Sequence, residues 1–121
     1  MELQGQEVVK YLNGWNTVRD GLLSSLNVLF DDFGAPVVKL LFQVDRAGVV
    51  SVVELTLSDL QNFNYSYSRE YAGSAISHLK CLWTSDGNFF LSLDPYDERE
   101  TFISDQDNDC FCSGAVTLRL R

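Results

Sequence analysis

The sequence predicts an α+β domain, an N-terminal helix packed on a mostly antiparallel sheet of about six to eight strands. Three observations carry that reading. Apolar residues near the start are spaced for a helix, most of the remaining chain alternates with a period of two, and glycine-containing turns separate the alternating runs. At 121 residues, 45% apolar and 21% charged, the chain has the length of one domain and the composition of an ordinary globular protein. A chain of this size buries roughly two thirds of its unfolded surface and needs no metal or disulfide staple to hold a core.

Val8, Tyr11, Leu12 and Trp15 fall at i, i+3, i+4 and i+7, one helical face, which predicts a helix over residues 2 to 13. Asn13-Gly14 supplies its stop, because both residues tolerate the left-handed conformation that ends helices. From residue 22 the period becomes two: Leu22, Ser24, Leu26, Val28 and Phe30 share one face, with Ser25, Asn27 and Asp31 opposite. After Gly34-Ala35-Pro36, Val38, Leu40, Phe42 and Val44 alternate with Lys39 and Gln43. Asp45-Arg46-Ala47-Gly48 is then a hairpin turn into the β-branched run Val49 to Ser58.

Ser58 to Arg69 carries Phe63, Tyr65 and Tyr67 at alternate positions and reads as an edge strand or an aromatic loop. A second hairpin follows, with Ile76 to Trp83 and Phe89 to Leu93 flanking Thr84-Ser85-Asp86-Gly87-Asn88. Its alternation puts Leu79, Cys81 and Trp83 on the apolar face and His78 with Lys80 on the other. Pro95 closes the hairpin, the segment after it runs over the surface, and Cys110 to Cys112 and Ala115 to Leu120 are closing strands.

The formal net charge is −8, and residues 94 to 109 hold seven acids against the single base Arg99, a local net of −6. Such a field repels phosphate backbones and anionic lipid and attracts basic surfaces, so the expected partner is a basic protein rather than nucleic acid or membrane. No apolar run approaches the ~20 residues needed to cross a bilayer. The first seven residues are acidic and polar where a secretory signal would be basic and then apolar, so the expected location is cytoplasmic.

The chemical candidates are sparse. Asp105-Gln106-Asp107-Asn108-Asp109 resembles the first half of a calcium loop, but the sixth position is Cys110 rather than Gly and the twelfth is Val116 rather than Glu. His78, Cys81, Cys110 and Cys112 lack structural-zinc spacing, and three cysteines in a chain of this length read as reduced thiols. His78 is the only histidine, no serine or cysteine stands in a glycine-flanked elbow, and the glycines form no phosphate cradle. Neither enzyme activity, a metal nor a cofactor is expected. Phe63 and the tyrosines up to Tyr71 offer either an aromatic recognition platform or ordinary strand packing. The alternatives are a small-ligand or sugar-binding β-rich domain using Trp83, Tyr65 and Tyr67, and a subunit that self-associates through an edge strand; a monomer or weak homodimer is expected.

The N-terminal helix, Trp15 with Asp20 before the first strand, and the run Leu91-Ser92-Leu93-Asp94-Pro95-Tyr96-Asp97-Glu98 followed by Asp105 to Asp109 together resemble small bacterial immunity proteins of polymorphic or contact-dependent toxin systems. The resemblance implies a cytoplasmic protein that binds a cognate toxin domain, frequently a basic nuclease, and blocks it. Its contacts are expected at Asp94, Tyr96, Asp97, Glu98, Glu100, Asp105, Asp107 and Asp109.

Overall fold

Strand alternation dominates the sequence, and the sheet it builds dominates the structure. The computed structural model of the chain describes residues 1–14, 17–66 and 75–121. In chain order they form β1 (Glu2–Gln4), α1 (Gln6–Leu12), β2 (Leu22–Phe30), β3 (Pro36–Arg46), β4 (Val49–Phe63), β5 (Lys80–Trp83), β6 (Phe89–Asp94) and β7 (Asn108–Leu120). Seven strands and one short helix make the fold sheet-dominated. The strand order is β2-β3-β4-β7-β6-β5, with every neighbour antiparallel, and β1 pairs with β7 at Thr117–Arg119, beyond the stretch that β6 occupies.

The two ends of the sheet approach each other. Ala75, in the segment leading into β5, bridges Leu22 at the start of β2. The Ile76 N–H donates to the Gly21 carbonyl at 2.9 Å, and the Asp20 N–H donates to the Ile76 carbonyl at 2.7 Å. The sheet therefore curls toward a barrel around one core. Its inner face supplies Val38, Leu40, Phe42, Val53, Leu55, Leu57, Cys81, Phe89, Leu91, Phe111, Val116 and Leu118, and α1 adds Val8 and Leu12. At about 25 cal/mol for each Å² of apolar surface removed from water, this shared inner row is the principal source of stability.

Several expectations are corrected. The helix does not run from residue 2 to 13: Glu2–Gln4 form β1, with Leu3 opposite Leu118, and Gly5 breaks away at φ 60 while its N–H donates to the Val116 carbonyl. Pairing with β7 outweighs the local helical spacing there. The stop does fall at Asn13-Gly14, but Asn13 stays right-handed at φ −81, and its side-chain amide donates to the Cys81 carbonyl at 3.0 Å. In β2 a register shift between Leu23 and Ser25 reverses the alternation, so Leu23 is buried and Leu22, expected on the inner face, is exposed.

β4 does not end at Ser58 but continues to Phe63 along β7, with a second register shift between Leu60 and Asn62. The closing strands are one thirteen-residue strand, β7. The second hairpin is shorter than expected on its first arm, since only Lys80–Trp83 pair with β6. Trp15, Tyr67 and Tyr71, named above, lie outside the described residues.

The turns obey local chemistry. Arg46 pairs with Val49, leaving Ala47 at φ 53 and Gly48 at φ 84, the two positive φ values of a two-residue type I′ hairpin loop. A third constraint lies at Gly114, where a side chain would fall onto the carboxylate of Asp59, itself at φ 50 on the neighbouring strand.

Candidate functional site

The acidic segment was expected to run over the surface with its carboxylates free for a partner. In the structure it folds back over the outer face of β5, β6 and β7. Cys81 faces the core, so its neighbour Lys80 faces outward, opposite Ser92, which in turn faces Cys110. The returning segment roofs this row, and the Lys80 side chain is fully buried.

Three acceptors meet the three protons of the ammonium. Lys80 Nζ lies 2.9 Å from Asp107 Oδ2, 2.8 Å from Glu100 Oε1 and 3.1 Å from the Phe102 carbonyl. Asp107 is equally saturated. Besides Lys80 it accepts the Tyr96 N–H at Oδ1 and the Ser104 N–H at Oδ2, each at 2.9 Å. Burial of the pair alone would favour the neutral forms. The hydrogen bonds between them reverse this, so the Lys80 ammonium is held above its usual range and the Asp107 carboxyl below its own.

A second anchor stands beside the first. Glu98 Oε2 lies 3.1 Å from the Arg19 guanidinium and accepts the Leu79 N–H at 3.1 Å, while Oε1 lies 3.6 Å from His78 Nδ1. Partial burial works against the charged form, but the Leu79 N–H and Arg19 outweigh it and hold Glu98 below the ordinary carboxylate range. Glu98, Glu100 and Asp107 are thus engaged within the molecule. Lys80, Arg19, Ser104 and the Phe102 carbonyl belong to the same assembly and were not singled out in the sequence. One signal pointed to Lys80: it is the one charge within the otherwise apolar run Leu79 to Trp83.

The other expected residues fall into two groups. Asp94, Tyr96 and Asp105 are exposed, and Asp97 is half exposed and pairs with the exposed Arg99 at 3.1 Å. Asp109 is half-buried and turned away from them, its Oδ1 accepting the Ser66 N–H at 2.9 Å. Asp105, Asp107 and Asp109 therefore point to solvent, to Lys80 and to Ser66, and do not converge as a calcium loop requires.

With the inner carboxylates anchored, the segment displays Tyr96 at 65% exposure, Phe102 at 60% and Ile103 at 48% beside Asp94, Asp97 and Asp105. His78, Pro95, Tyr96, Asp97, Glu98 and Arg99 line an open cleft of about 580 Å³ at its edge. The residues considered for a small-ligand site lie elsewhere: Trp83 and Tyr65 pack against the core. Phe63, from the aromatic run, stacks on Phe111 with ring centroids 6.0 Å apart. Burial pushes the Cys81 thiol up, as expected of a packed core cysteine. Among the described residues no helix is long and apolar enough to cross a membrane. Compared with known protein families, curated proteins and solved structures, the chain matches none.

Proposed function

We propose that this chain is a protein-binding module whose partner presents a basic surface, and that it acts without catalysis. The observation carrying this reading is the division of labour in residues 94 to 109. Glu98, Glu100 and Asp107 fix the backbone from within, while Asp94, Asp105, Tyr96, Phe102 and Ile103 are exposed and Asp97, half exposed, pairs with Arg99. Fixing a loop before association lowers the entropy lost on binding. The outward carboxylates steer a basic partner toward the surface, and the aromatic and aliphatic side chains provide area to bury once it arrives.

The resemblance to small bacterial immunity proteins narrows the partner to a toxin domain, with the bound module covering its active site or an essential surface. An α+β domain working in the cytoplasm is part of the same reading.

The test is co-purification of the tagged protein from its host at low and high salt, with a D94N/D97N/D105N variant in parallel. The expected result is one basic protein retained by the wild type at low salt, weakened at high salt and lost with a folded variant. Equal recovery by both forms would remove the acidic surface from the interface.

A further inference from the structure

We propose that β2 is a self-recognition edge, through which two copies of this chain pair antiparallel across a two-fold axis at Val28. β2 pairs with β3 on one side. On its other side, among the described residues, it carries only the Leu22–Ala75 bridge at its first residue. The alternation of antiparallel pairing identifies the groups turned away from β3. Pro36 has no N–H and stands opposite Phe30, as suits a non-hydrogen-bonded pair, and Leu26 and Val28 fall in the same class two and four residues earlier. The N–H and C=O of Leu26, Val28 and Phe30 therefore point away from β3.

Edge strands ordinarily carry lysine, proline or inward charge that discourages pairing. From Gly21 to Phe30 this chain has no charged residue and no proline, although the whole molecule carries −8. Val28, Leu29 and Phe30 are exposed by 40%, 48% and 70%.

A second copy fits this edge because one register satisfies the backbone, the side chains and the charges together. Centring the pair on Val28 sets Val28 against its own copy and Leu26 against Phe30 of the other chain. The outward groups of these three residues then make about six hydrogen bonds across the axis. The same residues share the inner face, opposite Leu40, Val38 and Pro36, so their side chains join into one apolar row linking the two cores. With −8 on each copy, contact between like charges is the chief obstacle, and here Asp31 and Asp32 meet Ser25 and Ser24 rather than carboxylates. The Ser25 hydroxyl accepts from Asn27 Nδ2 at 2.6 Å and keeps its own proton to donate. Leu22, whose outer edge is taken by Ala75, stays outside the pairing.

The test is sedimentation of the full chain across a range of concentrations, with V28P, V28K, V28C and N27C variants. The wild type is expected to pass from 13.7 kDa to twice that mass as concentration rises. V28P removes an outward N–H without touching the β3 ladder, and V28K places two ammonium groups at the axis. Each is expected to weaken the dimer at least about tenfold while the far-ultraviolet spectrum is unchanged. V28C is expected to give a covalent dimer on mild oxidation, because facing α-carbons of a hydrogen-bonded pair lie about 5.5 Å apart, within disulfide reach. N27C, facing Leu29 of the other copy, is expected to give none. A wild type that stays at 13.7 kDa throughout, or a dimer that ignores V28K and fails to cross-link through V28C, overturns the proposal. Neither result depends on the acidic surface.

Discussion

Replacing Lys80 by methionine keeps the length of the stem and deletes the charge. Asp107 would then be a fully buried carboxylate facing only the Tyr96 and Ser104 N–H groups, and the Phe102 carbonyl would lose its donor. Removing one partner from a buried ion pair costs about 3–5 kcal/mol, because the remaining charge is desolvated without compensation. For a domain whose total stability is about 5–15 kcal/mol, that is a large fraction. At a urea dependence of about 2 kcal/mol per molar, the unfolding midpoint of K80M should fall by roughly 2 M. Hydrogen exchange at Tyr96 and Ser104 adds a local reading: both amides should lose protection more than the core amides of β3. In K80M/D107L the charges are gone together, yet the two N–H groups lack an acceptor at about 1–3 kcal/mol each, so the double variant should recover only part of the loss. A K80M midpoint within about 0.5 kcal/mol of wild type, with both amides still protected, would refute the argument that this lysine holds the acidic segment in place.

Three further outcomes follow from the same structure. The depressed Asp107 predicts a contribution that is complete above the ordinary carboxylate range and lost as pH falls through it, below about 4; the raised Lys80 predicts one that is complete below about 10.4 and lost at higher pH. Thermal melts across pH should therefore show a plateau with acid and alkaline shoulders, and K80M should lack the alkaline shoulder. Asparagine tolerates positive φ better than alanine, so A47N should raise stability by about 0.5–1 kcal/mol in urea titration, and a loss would show that this turn is not of the type inferred. G114A should cost about 1–3 kcal/mol by forcing the new methyl against the Asp59 carboxylate, and D59G, which suits φ 50 and removes that carboxylate, should restore most of it in the double variant.

The parts of the fold that depend on neighbouring residues were legible in the sequence. The alternation of Val38, Leu40, Phe42 and Val44 named the inner face of β3, and the glycines at 48 and 87 marked its turn and that of the second hairpin. Parity correctly put Cys81 inward and Lys80 outward. Elements that depend on distant partners were not legible. Glu2–Gln4 is a strand only because β7 lies beside it, more than a hundred residues later, and residues 60 to 63 extend β4 for the same reason. The register shift in β2 leaves no mark in composition, so Leu22 and Leu23 were exchanged. Charge counting located the acidic segment but could not separate its inward carboxylates from its outward ones. That division is set by Lys80, 27 residues before Asp107, and by the way the chain turns back after Pro95.

β7 is flanked by β4 on one side and by both β6 and β1 on the other, yet it is the last strand in chain order. Assembly is consequently deferred. While the polypeptide is being made, β2, β3 and β4 have the means to form a meander, but β1 has nothing to pair with and β6 lacks its inner neighbour. Pairing with β7 joins residues more than a hundred positions apart, Glu2 with Arg119, and cannot form before β7 itself has been made. Such long-range pairing slows folding relative to a meander of adjacent hairpins. Until it occurs, the flank of β4 that β7 will cover is an open edge, vulnerable to the wrong strand.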